Sequence, residues 1–327
     1  MRIYKGTKDQ VAMISQLPDR LLFKAVIFNF NMELKMIPKR IFCMWCGSQK
    51  PIEVQNCILS WHKILPDYEI IEINEQQSQY FDFEKERMNN PYFDFLYQNK
   101  IWAYVSDYVR IKLLEKYGGI WLDTDITIVK PFDNLLNNGM FFGRDDENKN
   151  HIETAVIGSI AHHQVLKDLL KFYENEFWKS DLYTGPRITT EILKRHGFDF
   201  NQKNLVKFED ITIYPPEYFY PFPCGTKFKN DCLTSNTIAI HWWKASWNRL
   251  EVTNWLKNKH KIKKEKALSI NLEQTIGLYL FSFIRIGTYY PNSNKISILG
   301  IKTMNIKHKN NRHKLYLFNF IPLLKWR

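Results

Sequence analysis

The chain has no apolar run of the roughly 18 residues that a membrane-spanning helix needs, so nothing in it reads as a span. Its one apolar patch near the start, "LLFKAVIFNFNM", is broken by a lysine and lacks a small-residue cleavage site, which argues against a secretory signal. There is no G-x-G-x-x-G and no Walker loop, so phosphates are not expected in a glycine cradle. Nucleic-acid recognition modules are missing too, and sequence-specific nucleic-acid binding is not expected. Cysteine is scarce, with five residues in 327. An odd count without a framework suits a reducing compartment, and hence a cytoplasmic protein. Cys43 and Cys46 make a lone C-x-x-C. A redox or zinc site is one reading; two cysteines in or beside a buried strand, "IFCMW", is the other. No second pair or nearby histidine pair completes a zinc site, which favours the buried strand. Acidic residues are nearly absent from the end of the chain. Residues 251–327 carry 15 Lys+Arg and 3 Asp+Glu, which accounts for the whole formal net charge of +12. Such asymmetry points to an appended region that meets an anionic surface.

What is present is a long alternation of short apolar runs with helical ones. Residues 1–35 lie outside it as an N-terminal extension. From Ile37, "RIFCMW" reads as a strand. "PIEVQNCILSWHKILPD" reads as a helix, with Ile52, Cys57, Leu59, Trp61 and Ile64 at roughly helical spacing. "YEIIEIN" is a second strand. "IWAYVSDYVRIKLLEKYGG" has the strongest helical pattern, through Ile101, Tyr104, Val105, Tyr108, Ile111 and Tyr117, with Gly118 as its stop. "GIWLDTDITIV" reads as one strand running through two aspartates, and "MFFG" as the next. The alternation predicts an α/β domain over residues 36–250 with a mostly parallel central sheet flanked by helices. Ligands of such sheets sit at the carboxyl ends of strands, where Asp123 and Asp125 fall. Residues 251–327 form a basic and apolar C-terminal appendage. "IGLYLFSFIRIG" and "HKLYLFNFIPLLKWR" interleave apolar and basic residues there, as a segment lying on anionic lipid does; the other reading is a small subdomain packed on the core with solvated lysines.

Asp123 and Asp125 flank a single threonine, so two carboxylates crowd the end of a buried run. They could hold a hard divalent cation, Mn²⁺ or Mg²⁺, that bridges the phosphates of a nucleotide. One could instead be a nucleophile, because "DTDIT" fits the D-x-D-x-[TV] of haloacid-dehalogenase-type phosphatases. An exposed turn is the third reading. The phosphatase reading also needs a lysine and an acidic motif late in the chain, and "GRDDE" at 143–147 comes too early. Upstream, Asp107 and Arg110 are three apart on one helix and share a face. They make either an intrahelical ion pair or a polar pair aimed at a substrate, carboxylate to hydroxyls and guanidinium to phosphate or sugar.

The block formed by Ser106, Asp107, Arg110, Leu114, Gly118, Gly119, Trp121, Asp123 and Asp125 resembles the S-D-x-x-R…G-G-x-[WY]-x-D-x-D signature of glycosyltransferase family 32. That family includes initiating α-mannosyltransferases and bacterial capsule and lipopolysaccharide enzymes, and the large glucosylating toxins share the block. "MIPKRIFCMWCGSQKP" resembles the family's opening segment, with Trp45 at the position whose indole packs on the nucleotide base. "SWHKILPDYEI" resembles an architectural segment. "IAIHWWKASWNRL" resembles the late H-x-x-x-x-S-W, and "YTGPRIT" a Thr-Gly-Pro loop near the active site. The resemblance covers about Ile37 to Arg249. Cys43 and Cys46 depart from the family's usual residues.

The resemblance implies a GT-A type nucleotide-diphospho-sugar transferase that moves a hexose to a glycan or lipid-linked glycan acceptor, as in surface polysaccharide or lipopolysaccharide synthesis. UDP-sugars are favoured as donors, with GDP-mannose as the other choice. It implies that Asp125 and His241 bind Mn²⁺ or Mg²⁺, and that Asp123 contacts the ribose or the metal's water shell. Asp107 and Arg110 would orient the donor sugar, with Ser246 and Trp247 near the diphosphate. It also implies retention of anomeric configuration. No residue in the sequence declares itself as a nucleophile, and same-face attack assisted by the leaving phosphate is the alternative. The protein would be cytoplasmic, peripheral on the inner face of a membrane. A different class of function is a non-enzymatic membrane- or polyanion-binding protein on a degenerate transferase fold, against which the intact motifs stand.

Overall fold

The structure is a computed structural model, and it describes residues 36–76, 79–146, 152–244 and 250–261, with the backbone of the strands between 276 and 326. The N-terminal extension, Ser246, Trp247 and most of the segment joining residue 261 to the last strands lie outside the described residues. Two compact units divide at Leu268/Ser269, later than the 250/251 boundary that composition suggested.

The first unit is built on a seven-stranded sheet. Its strands are β1 (Arg40–Met44), β2 (Glu69–Ile73), β3 (Gly119–Leu122), β5 (Met140–Gly143), β6 (Glu153–Ser159), β7 (Val206–Phe208) and β8 (Ile211–Tyr214), in the order β2-β1-β3-β6-β5-β8-β7. β1 pairs in parallel with β2 and β3, and β5 with β8; β6 and β7 are antiparallel to their neighbours. Five of the seven strands therefore run the same way, and this is an α/β fold with a mostly parallel sheet. The parallel strands β1 and β3 are buried along most of their length and read as continuous apolar runs, as strands covered on both faces must. Cys43 sits fully buried in β1 and Cys46 just beyond it, both as free thiols. Burial pushes both thiols well above their ordinary range, which suits packing and not redox chemistry.

Helix α1 (Ile52–Ile64) buries Val54, Cys57, Ile58 and Trp61, a spacing of three, one and three that makes one face. Ile52 and Leu59, expected inside, are exposed. They are seven apart and share the opposite side of the helix. Short helices α2 (Phe83–Asn89) and α3 (Pro91–Gln98) start at side-chain caps. Asp82 accepts from the Lys85 N–H, and Asn90 from the Tyr92 and Phe93 N–H groups. Helix α4 (Trp102–Tyr117) buries residues on most of its circumference, Arg110 included, so it is an interior helix. Gly118 ends it with φ +63° and Gly119 follows at +119°. A Cβ at Gly118 would lie 2.7 Å from the Ala161 nitrogen, and one at Gly119 2.7 Å from the Arg40 carbonyl oxygen. Only glycines make this reversal from helix into β3.

The "LDTDITIV" segment is not one strand. The chain turns at Asp123–Asp125, and β4 (Ile126–Ile128) leaves the central sheet to pair antiparallel with β9 (Ala239–His241). Helix α5 (Gln164–Lys171) and helix α6 (Gly185–Arg195) follow β6, and helix α7 (Leu250–Asn258) belongs to the same unit, where Trp255 stacks on Phe95 with ring centroids 4.3 Å apart. The second unit is a six-stranded antiparallel meander, β10 (Ile276–Leu280) to β15 (Ile321–Trp326), each strand pairing with the next. Among the described residues no helix is long and apolar enough to cross a membrane.

Candidate active site

A cavity of about 950 Å³ opens in the first unit, lined by Trp45, Asp107, Arg110, Asp123, Asp125 and His241 among others. Strand ends create it. β1 and β3 are parallel neighbours, so the residues that follow them, Trp45 and Asp123, emerge at the same edge. The turn after β3 carries Asp125 onward, and the β4–β9 register pairs Ile126 with His241. A histidine more than a hundred residues away thus arrives beside Asp125, with Nε2 3.2 Å from Oδ1.

Asp125 is the more buried of the two motif aspartates. It accepts from the Lys244 backbone N–H at 2.9 Å, and its own carbonyl accepts from Trp242 N–H. Burial works against its charge, but His241 and the Lys244 N–H hold its carboxyl below the usual carboxylate range. Burial likewise opposes the charge on His241, yet Asp125, Glu153 and Asp123 raise its pKa above the ordinary imidazole value. The other ring nitrogen, Nδ1, is buried without a hydrogen-bond partner. Asp123 accepts from the Trp121 indole N–H at 2.7 Å. Asp123, Asp125 and His241 each offer one ligand atom, all within 4.8 Å of one another. Two carboxylates and an imidazole suit a divalent cation of the Mn²⁺ or Mg²⁺ type, with imidazole favouring the former.

Arg110 occupies the floor. Its guanidinium lies 3.0 Å from Asp107, 3.2 Å from Asp123 and 3.1 Å from the Ser106 hydroxyl, and it donates to the Thr154 carbonyl. The structure thus shows an ion pair on α4 that extends to the first motif aspartate, with the guanidinium committed to protein groups. Asp107 also accepts from the Gly185 N–H at 3.2 Å, where the "YTGPRIT" segment begins α6. A Cβ on Gly185 would come within 2.7 Å of the Asp107 carboxylate. Burial pushes Asp107 up to about 6 despite Arg110. Trp45 lines the cavity and packs against the core, with its indole N–H on the Ser48 carbonyl.

The "SWHKILPDYEI" segment acts through β4. The buried Trp61 indole donates to the Ile126 carbonyl at 2.7 Å, and Ser60 accepts from the Ile128 N–H at 3.0 Å. Helix α1 therefore clamps the strand that carries Asp125 toward His241. Two cavity residues carried no sequence signal. Glu153, at the start of β6, is a lone carboxylate without a motif. Trp243 packs on His241 with centroids 4.1 Å apart and holds φ +54°, rare for a bulky residue; its indole N–H on the Phe222 carbonyl holds it there.

The family model described as "Capsular polysaccharide synthesis protein" matches residues 23–211, and one described as "Alpha 1,4-glycosyltransferase conserved region" matches residues 158–265. Lactosylceramide 4-alpha-galactosyltransferase of Rattus norvegicus is 30% identical over 165 residues, covering 46% of this chain and 44% of the relative. Human alpha-1,4-N-acetylglucosaminyltransferase is 24% identical over 129 residues, 37% of this chain and 35% of the relative. The chain spans less than half the length of these relatives. Among solved structures, PaToxG glycosyltransferase overlaps 53% of this chain and 77% of its own, at 18% identity and a TM-score of 0.40.

Proposed function

This chain belongs to the capsular polysaccharide synthesis protein family, and on that premise we propose that it is a metal-dependent glycosyltransferase of GT-A type, transferring a hexose from a nucleotide sugar to a glycan or glycolipid acceptor. The observation that carries the reading is the Asp123–Asp125–His241 cluster in a cavity large enough for a nucleotide sugar, with an indole, Trp45, also lining it. The names of the relatives favour an α-1,4 linkage.

In this reading Asp125 and His241 would hold a divalent cation, with Asp123 beside it or at the ribose, and the cation would supply positive charge to the departing diphosphate. Trp45 covers the base by stacking. Asp107, fixed by Arg110 and the Gly185 N–H, turns its carboxylate to the donor sugar's hydroxyls. Arg110 holds both aspartates in place. The family premise supports retention of configuration and a setting in surface polysaccharide synthesis.

The test is a panel of UDP- and GDP-sugars with Mn²⁺, scored by free nucleotide from slow hydrolysis, with and without a chelator. One donor should be cleaved, and the chelator should stop it. If no donor is bound or cleaved, the transferase reading falls.

An anionic membrane surface is the partner we assign to the second unit. Its register sets Lys307 opposite Lys314 and Lys314 opposite Lys325, with Lys309 opposite Arg312. That register gathers basic positions on neighbouring strands, a pattern that suits an anionic surface. Removing residues 269–327 should abolish co-sedimentation with phosphatidylserine vesicles, and unchanged binding would refute the assignment.

A further inference from the structure

The cavity's carboxylates differ in their company. Asp107 and Asp123 share Arg110, Asp125 meets His241, Glu191 lies 3.2 Å from Arg195, and Glu53 lies 3.8 Å from Lys244. Glu153 lines the same cavity and forms no ion pair with any described residue. One of its oxygens accepts from the Thr154 backbone N–H at 2.8 Å, and the other accepts no hydrogen bond among the described residues. A partly buried carboxylate with no cation in direct contact is costly to keep, so its presence in the cavity calls for a reason.

The backbone takes trouble to place it. β5 and β6 pair regularly up to Phe142↔Ile157, and the register then jumps, so that Gly143 faces Glu153 where Val156 would continue the ladder. Such irregularities re-aim side chains next to active sites. The neighbouring Thr154 carbonyl is held by Arg110, the same guanidinium that fixes Asp107 and Asp123. The residue next to Glu153 on β6 is thereby tied to the guanidinium that also meets Asp107 and Asp123. Glu153 lines the same cavity as His241 and Asp123, and burial pushes its carboxyl up to about 7.

We propose that Glu153 is the nucleophile of a double displacement at the donor sugar. The inference rests on the retaining transferase reading given above. A Glu153 oxygen forms a bond to the anomeric carbon while the bond from that carbon to the diphosphate oxygen breaks, its electron pair leaving on the diphosphate. The acceptor hydroxyl then bonds to the same carbon from the vacated face. The glycosyl–Glu153 bond breaks with its pair returning to the carboxylate, and the acceptor proton passes to the departed diphosphate. Two inversions retain configuration.

The experiment compares the wild type with Glu153→Gln and Glu153→Ala on the donor that the panel identifies. The product anomer is read by proton NMR, nucleoside diphosphate affinity by calorimetry, and the protein by mass after acid quench. Retained configuration is expected, with kcat for Glu153→Gln down by at least about a thousandfold and nucleoside diphosphate affinity within threefold of the wild type (roughly). Azide should restore Glu153→Ala turnover and yield a glycosyl azide of inverted configuration. An inverted product from the wild type, kcat for Glu153→Gln within about tenfold of the wild type, or no azide rescue overturns the assignment while leaving the transferase reading in place. A wild type that cleaves no donor overturns both.

Discussion

Replacing Arg110 with methionine keeps most of the side-chain volume and removes the charge beneath the motif aspartates. The guanidinium makes ion pairs at 3.0 Å to Asp107 and 3.2 Å to Asp123, and hydrogen bonds to Ser106 and the Thr154 carbonyl. Removing one partner of a buried pair costs about 3–5 kcal/mol. Two features reduce that. Asp123 keeps its Trp121 N–H and is 31% exposed, so water can take over. Asp107 is only 13% exposed, but it can take a proton, because burial already lifts its pKa to about 6. The expected loss is about 2–4 kcal/mol at pH 7. Without Arg110 the Asp107 pKa rises further. A carboxyl raised in the folded state favours folding at low pH and loses that contribution as pH rises through its folded value. The gap between variant and wild type should therefore shrink toward pH 5. Urea unfolding followed by circular dichroism at both pH values measures it. A loss under about 1 kcal/mol at pH 7, or one that does not change with pH, would refute the counter-ion role and leave the guanidinium for the donor.

Asp125→Ala should abolish Mn²⁺-dependent turnover and weaken Mn²⁺ binding at least about tenfold while the far-ultraviolet spectrum stays unchanged; full activity would sink the metal assignment. Metal affinity should rise with pH through the raised pKa of His241, because the proton and the cation compete for the imidazole, and calorimetry in matched buffers reads this directly. Trp61→Phe should cost about 1–3 kcal/mol in urea unfolding by orphaning the buried Ile126 carbonyl, and should lower metal affinity by loosening β4. Glu153, raised to about 7 from an ordinary 4.5, favours folding at low pH and loses that contribution as pH climbs toward 7. Glu153→Gln should flatten the fall in stability across that window, as thermal melts between pH 5 and 8 would record.

Much of the first unit is written locally. The apolar runs of β1 and β3, the helical spacing of α4 and the paired glycines at its end specify a strand, a helix and a sharp return, because each depends on neighbours within a few residues. The D-x-D pair stood out for the same reason: two carboxylates beside a buried strand are conspicuous without any partner. The face of α1 was harder to read. Its apolar residues ring the helix, and only the position of β4 makes Val54 and Ile58 the inward ones and leaves Ile52 and Leu59 in solvent.

Tertiary structure decided the rest. Nothing near Asp125 in the chain shows that β4 leaves the main sheet, or that its register with β9 delivers His241. Resemblance alone had linked the two residues; the hydrogen-bond ladder supplies the physical link. Arg110 read equally well as an ion pair or as a substrate contact, and packing settled its surroundings by sinking it between Asp107, Asp123 and the Thr154 carbonyl. Glu153 and Trp243 carry no pattern that a sequence can display. A register jump aims one and a left-handed backbone aims the other. Composition and spacing, which act over a turn or a strand, set the elements and the aspartate pair. Long-range strand register, which no local preference encodes, set which residues meet around them.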